Sequence, residues 1–158
     1  SVGSNPTLSA MNDDQAMYLA LEEARAAMEH EDVPVGALVI VENEVVSSRH
    51  NERQLTGDPT AHAEILALRD AATHLGTWRL DAATLVTTLE PCPMCAGAAL
   101  NARIKHVIFG AHDPKAGATE TLYNLLADPR LNHEAQITSG VLADECGEIL
   151  TSFFAERR

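Results

Sequence analysis

Apolar and polar residues change their period several times along the chain, and each change marks an element. From about Asp13 to His30, Met17, Leu21, Ala24 and Met28 recur in steps of four, three and four. That spacing predicts one helix with a single apolar stripe, capped by Asn12 or Asp13, its methionines serving as core filler. Val35 to Val41 is an apolar run rich in β-branched residues; Glu42-Asn43 suits a hairpin turn and Glu44 to Arg49 a returning strand. After Gly57, Asp58 and Pro59, a second helix is expected from a Thr60 cap to about Thr73, with Ala63, Leu66, Ala67 and Ala71 inward. Thr84 to Leu89 reads as a third strand, Pro93 to about Ala102 as a short helix of small residues, and His106 to Phe109 as a fourth strand. A helix near Thr121 to Ala127 and a strand near Ala135 to Ser139 are expected before a last helix over about Val141 to Glu156. In that helix Leu142, Cys146, Ile149, Leu150 and Phe153 fall on one side, so Cys146 reads as a buried, inert thiol.

This order predicts an α/β fold: a three-layer α/β/α domain on a mixed five-stranded sheet. The hairpin supplies the antiparallel pairing and the helix-linked strands the parallel crossovers. At 158 residues the chain suits one domain. Ser1 to Ala10 carry neither charge nor periodicity, so residues 1–10 read as an expression remnant ahead of a domain spanning 11–158. No run approaches the roughly 20 apolar residues of a membrane helix. Nor does any segment look like a secretion signal, so a cytoplasmic location without membrane association is expected.

Charge narrows the partners. The formal net charge is −12, and between Asp13 and Asp32 seven acids face the single base Arg25. Such a field repels nucleic acid unless bases gather locally. Arg103, Lys105 and Lys115 lie close in sequence with only Asp113 among them, and Arg157 and Arg158 end the chain. Lys115, Arg157 and Arg158 are the candidate contacts for a polyanion such as RNA.

Three cysteines, two of them in Cys92-Pro93-Met94-Cys95, suggest metal or redox chemistry rather than a disulfide framework. The second informative segment is His62-Ala63-Glu64. Both segments fall at predicted helix starts, where thiolates are favoured electrostatically and ligand sites commonly form. Two sulfurs and one imidazole would give a zinc ion three ligands and leave a fourth position for water, the pattern of a catalytic site. Glu64 then serves as proton carrier rather than ligand. A thiol redox pair would leave His62-Ala63-Glu64 without a role. A closed structural zinc site needs a fourth ligand, for which His50 and Cys146 are available without telling spacing. The combination of His-x-Glu with Pro-Cys-x-x-Cys is the signature of zinc nucleobase deaminases.

Beyond these motifs the chain carries Val33-Pro34-Val35-Gly36-Ala37, Asp58-Pro59-Thr60-Ala61-His62-Ala63-Glu64-Ile65, Thr77-Trp78-Arg79-Leu80 and Leu89-Glu90-Pro91-Cys92-Pro93-Met94-Cys95-Ala96-Gly97. Phe109-Gly110-Ala111, Asp113-Pro114-Lys115, Leu131-Asn132-His133, Gly140-Val141-Leu142-Ala143 and Phe153-Phe154 follow. In this combination it resembles the bacterial tRNA-specific adenosine deaminase family, of cytidine deaminase-like fold. The resemblance implies a homodimer that converts adenosine to inosine at the anticodon wobble position. It also implies one Zn2+ per chain on His62, Cys92 and Cys95, with Glu64 as proton shuttle. Asn51 matches an asparagine that contacts the base, and the backbones of Ala63 and Cys92 are candidates for contacts around the base or water.

The chain also departs from the family. Thr119-Glu120-Thr121-Leu122 stands where many members have Gly-Ser-Leu. Asn132-His133-Glu134 replaces Asn-His-Arg, and His106 replaces an arginine. Each change removes positive charge or adds negative charge where the family meets RNA, which weakens phosphate binding. Tyr123, inside the altered segment, is a candidate to close a pocket over a base, and Asn132 is a candidate substrate contact. Trp78 is expected in core or dimer packing. Two enzymatic readings follow: a tRNA adenosine deaminase, or a deaminase of free nucleobases, nucleosides or small aminated heterocycles such as guanine, cytosine or adenine. A non-enzymatic zinc-stabilised binding protein would leave Glu64 and the open ligand position unused.

Overall fold

A methyl group added at Gly36 would lie 2.0 Å from the carbonyl oxygen of Ala20, so the first strand runs directly beneath the first helix and only glycine fits at the crossing. A computed structural model describes residues 10–157. The element order is α1 (Asp13–Ala27), a 3-10 turn (Met28–His30), β1 (Gly36–Val41), β2 (Glu44–His50), α2 (Arg53–Thr56), α3 (Ala63–Leu75), β3 (Thr84–Leu89), α4 (Pro93–Asn101), β4 (His106–Ala111), β5 (Gln136–Thr138) and α5 (Ala143–Ala155). The sheet order is β2-β1-β3-β4-β5. β1 pairs antiparallel with β2 and β3, while β3–β4 and β4–β5 are parallel.

Alternation along the strands builds the three layers. Leu38, Val86 and Ile108 pack with Met17, Leu21 and Cys146 on the α1/α5 face. Their neighbours Ala37, Val39, Leu85 and Val107 pack with Ala67, Ala71, Ala96 and Ala99 on the α3/α4 face. Small residues on α3 and α4 bring those helices close to the sheet, which matters because the site lies at their N-termini. Asn12 caps α1 in a reciprocal box with Gln15: each side chain accepts from the other's backbone amide, at 2.8 and 2.9 Å.

The mixed five-stranded sheet is as expected. So is the hairpin turn at Glu42-Asn43, both residues having positive φ. Three expectations are corrected and one short element is added. No helix forms over 121–127. The amides of Thr119, Glu120 and Thr121 donate to Glu90 Oε2, those of Leu122 and Tyr123 turn back to the Gly117 carbonyl, and that of Leu125 goes to Ala118 rather than to Thr121, so no i to i−4 ladder starts. The helix expected from Thr60 begins instead at Ala63, because Thr60 bonds Asp58 and His62 takes the extended N-cap conformation. A short helix, Arg53–Thr56, was not anticipated; the Asp32 carboxylate accepts from the amides of Gln54 (2.8 Å) and Leu55 (3.1 Å) at its start. Trp78 is not in the core: it is 61% exposed, with the guanidinium groups of Arg79 and Arg103 about 6 Å from its ring. Cys146 is fully buried as expected, and burial pushes its thiol up to about 12. Of the segment 1–10, residues 1–9 lie outside the described residues, as does Arg158.

Candidate active site

Two helix starts carry the reactive groups. His62 immediately precedes α3 and Cys92 immediately precedes α4, both in extended backbone, with Pro93 opening α4 where its missing amide costs no hydrogen bond. His62 Nδ1 lies 3.6 Å from Cys92 Sγ and 3.5 Å from Cys95 Sγ. The three donor atoms lie within 4.8 Å of one another, the only such group of three metal-ligating side chains among the described residues. Zinc bonds of about 2.3 Å to sulfur and about 2.0–2.1 Å to nitrogen, at tetrahedral angles, give N···S edges of roughly 3.5–3.6 Å. The donor set therefore fits a tetrahedral ion in both chemistry and spacing.

The three side chains perturb one another's protonation. The Cys95 thiol donates toward Cys92 and, with help from His62, brings the Cys92 thiol down to about 4. The same contact with Cys92, reinforced by burial, raises Cys95, and the Cys92 thiolate raises His62. A divalent ion replaces these protons, which couples metal binding to pH.

The two alternatives for this cluster lose their support. His50, a conceivable fourth ligand, is engaged elsewhere: its Nδ1 bonds Glu23 and its Nε2 lies 3.1 Å from His30 Nε2, while His30 Nδ1 bonds Asp32 at 2.6 Å. Cys146 belongs to the core on the opposite face of the sheet. Among the described residues no fourth metal-ligating side chain joins the group, and His62 stands with the cysteines rather than apart from a redox pair.

Glu64, in the first turn of α3, is 4% exposed and lines the same cleft as His62 and Cys92. Burial, opposed by its own amide and by His62, pushes its carboxyl up to about 7. A carboxyl balanced near neutrality can both accept and release a proton. The cleft has a volume of about 940 Å³, enough for a base with its sugar. A smaller hollow of about 410 Å³ between α1 and β2 holds none of these groups.

Asn51 also lines the cleft, and its Oδ1 accepts from the Ala63 amide at 2.8 Å. That bond satisfies an otherwise orphaned amide at the start of α3 and leaves the Asn51 NH2 group as a donor for a ligand. Ala63 is fully buried, with its amide taken by Asn51. Lys115 and Arg157 both reach the cleft, but Arg157 is already occupied by the Phe153 carbonyl, the Phe153 ring and Glu31. Tyr123 and Asn132 are exposed and do not line the cleft.

The cluster of bases read from Arg103, Lys105 and Lys115 does not form at the cleft. Lys105 adjoins the start of β4 and Arg103 sits by Trp78; only Lys115 reaches the site. Sequence reading missed a role for Arg53, His112 and Glu90, all of which line the cleft. Arg53 follows the matched Asn51 by two residues, a proximity that could have flagged it. For Glu90 the only signal was an acid placed two residues before a metal-ligating cysteine.

A mixed sheet flanked by helices, with a His–Cys–Cys cluster and a buried carboxyl at two adjoining helix starts, defines a deaminase of cytidine deaminase-like fold. Residues 11–158 match the family model of MafB19-like deaminases. The chain is 49% identical to a tRNA-specific adenosine deaminase of Bacillus subtilis, over 92% of this chain and 91% of that one. It is 44% identical to the enzyme of the same name from Haemophilus influenzae, over 92% and 85%. Among solved structures it is similar to one from a study of A-to-I editing by tRNA:A34 deaminases at the wobble position: TM-score 0.82, 43% identity, 85% of this chain and 98% of that one. It is also similar to a guanine deaminase from Nitrosomonas europaea: TM-score 0.78, 26% identity, 90% and 84% covered. The chain belongs to the MafB19-like deaminases and, within them, to the tRNA-specific adenosine deaminase family.

Proposed function

We propose that this enzyme converts adenosine to inosine at the wobble position of tRNA, with one Zn2+ per chain held by His62, Cys92 and Cys95. The observation that carries the reading is the joint placement of His62 Nδ1, the two sulfurs and the buried Glu64 carboxyl in one cleft of a chain 49% identical to a tRNA-specific adenosine deaminase. When bound, the metal supplies Lewis-acid activation of water at neutral pH.

The remaining work falls to the chain. Glu64 takes one proton from the attacking water and gives it to the purine ring nitrogen next to the reacting carbon. It then transfers the second proton to the departing amine, so water is consumed and ammonia leaves. The Asn51 NH2 group donates to an acceptor on the base, its orientation fixed by the bond from Ala63. Arg53 and Lys115 meet the phosphates; neither makes an ion pair among the described residues. A nucleotide in a single-stranded loop reaches such a pocket at lower unstacking cost than one in a duplex. Tyr123 and Asn132, outside the cleft lining, are proposed to contact flanking nucleotides, and Arg158 the RNA backbone. On the same family likeness the enzyme acts as a cytoplasmic homodimer, which sedimentation of the purified protein and localisation of a tagged chain would check. Among the described residues no helix is long and apolar enough to cross a membrane.

The test compares ammonia release from an anticodon stem-loop with release from adenine, adenosine, cytosine and guanine. Turnover of the stem-loop alone is expected. Turnover of a free base alone would replace this reading with that of a small-heterocycle deaminase, the reading favoured by the likeness to the guanine deaminase and by the −12 net charge.

A further inference from the structure

We infer that Glu90 is a positioning residue that sets the substrate-facing loop of the cleft. It lies between the end of β3 and the Pro91-Cys92 turn, is 1% exposed, and has both oxygens filled by one distant loop. Oε1 accepts from the Asp113 amide at 3.0 Å and from the Thr121 hydroxyl. Oε2 accepts from the amides of Thr119, Glu120 and Thr121 at 3.1, 2.8 and 2.9 Å.

The order passes on from there. Asp113 Oδ1 in turn accepts from the amides of Lys115 (2.9 Å) and Ala116 (3.2 Å). Asp113, Pro114, Lys115 and Ala116 are the stretch of this loop that lines the cleft. A methyl group at Gly117 would sit 2.3 Å from Glu90 Oε1 and 2.6 Å from the Asp113 carbonyl, so the loop closes on the carboxylate with no room for a side chain. The Pro91 carbonyl adds a bond from Ala118 at 2.9 Å. One side chain, two residues before a metal-ligating cysteine, thus fixes the loop that meets the substrate. With both oxygens filled, Glu90 has no lone pair to offer a metal or a reacting atom, so its action is through the loop.

The inference rests on the function proposed above for what the loop contacts, but the order it imposes is measurable without turnover. In E90Q the remaining oxygen keeps the three bonds from 119–121. The new NH2 group faces the Asp113 amide, and Thr121 can turn its hydroxyl to accept. The lesion therefore falls on 113–116. For the zinc-loaded enzyme and the stem-loop, KM is expected to rise about tenfold or more while kcat stays within about threefold and zinc remains stoichiometric. A general loosening of the fold would instead lower the active fraction, reducing apparent kcat at unchanged KM; that result overturns the inference. G117A, which presses on the same carboxylate without altering charge, should reproduce the KM rise. T121V, at an exposed position that tolerates the change, should raise KM about two- to threefold. Unchanged KM in T121V and G117A overturns the inference even if E90Q does not fold. Should the wild type ignore the stem-loop, the functional reading fails separately. The inference then stands or falls on amide exchange: Asp113, Lys115 and Ala116 exchange at least about tenfold faster in E90Q, or the claim is wrong.

Discussion

The two sides of the cleft are built on opposite principles. On one side, His62, Glu64, Cys92 and Cys95 sit at the first turns of two helices, where residues two or three apart in sequence share a position in space. On the other, Asp113 to Ala116 owes its shape to a carboxylate 23 residues earlier and to a glycine that permits close approach. The first side needs only the helices to start in register. The second needs a set of long-range hydrogen bonds to form together. The groups proposed for proton transfer and metal binding fall on regular elements, which place atoms precisely, whereas the loop proposed to meet the substrate can change without disturbing them.

The sharpest way to break this contrast is Glu64→Gln. Turnover should fall by roughly 10²- to 10⁴-fold with zinc content and melting temperature retained; an active variant would remove the chemistry from the helix-start side. Cys92→Ala should lose zinc and activity together, by metal analysis and ammonia release. Stripping zinc from the wild type should lower stability by about 4 kcal/mol relative to zinc at a thousandfold excess over its Kd, recovered on adding zinc back.

The loop side has its own signature in acid. Burial works against ionisation of Glu90, but the bonds from Thr121, Asp113 and Glu120 outweigh it and hold the carboxyl at about 2, below its ordinary 4.5. Because the folded value is depressed, its contribution is fully present above about pH 4.5 and disappears as pH falls toward 2, amounting to at most about 3 kcal/mol. The stability difference between wild type and E90Q should therefore shrink through that window, as followed by urea unfolding; a constant difference would refute the assignment. Metal release, common to both proteins, cancels in the comparison.

Asn51 belongs to the helix-start side through its bond from Ala63, and its two functions can be separated. Asn51→Ala should cost about 1–2 kcal/mol in stability through the exposed Ala63 amide, and should raise KM. Asn51→Asp still accepts from Ala63 yet has no donor for the base, so stability should recover while KM stays high. If both variants bind substrate normally, Asn51 is purely a cap. The smallest effect is expected from Lys115→Ala: the slope of log K against log salt for stem-loop binding should flatten by about 0.7–0.9, the share of one phosphate contact.

Legibility in the sequence followed the same division. The stripe from Met17 to Ala24, the β-branched runs and the turn at Glu42-Asn43 located the strands and large helices, because burial of one face imposes a period that can be read locally. Met28, the last member of the stripe, is exposed because α1 tightens into a 3-10 turn there. His62, Cys92 and Cys95 were legible because metal ligation restricts both residue type and spacing, and Glu64 because it stands two residues from His62 in the same motif. Tyr123 was read as part of a helix over a pocket, yet its amide turns back to Gly117. Arg103 and Lys105 were grouped with Lys115 by sequence proximity, but β4 separates them, carrying the chain from one end of the strands to the other.

Periodicity and ligand chemistry act over a few residues, so the sequence by itself determined the sheet, the long helices, and the three candidate metal ligands with their neighbouring carboxyl. Which amides a buried carboxylate captures, which bases reach the cleft and which way an asparagine turns depend on atoms brought together from far apart in the chain. Only the tertiary structure decided those, since each is a competition among partners that no local window contains.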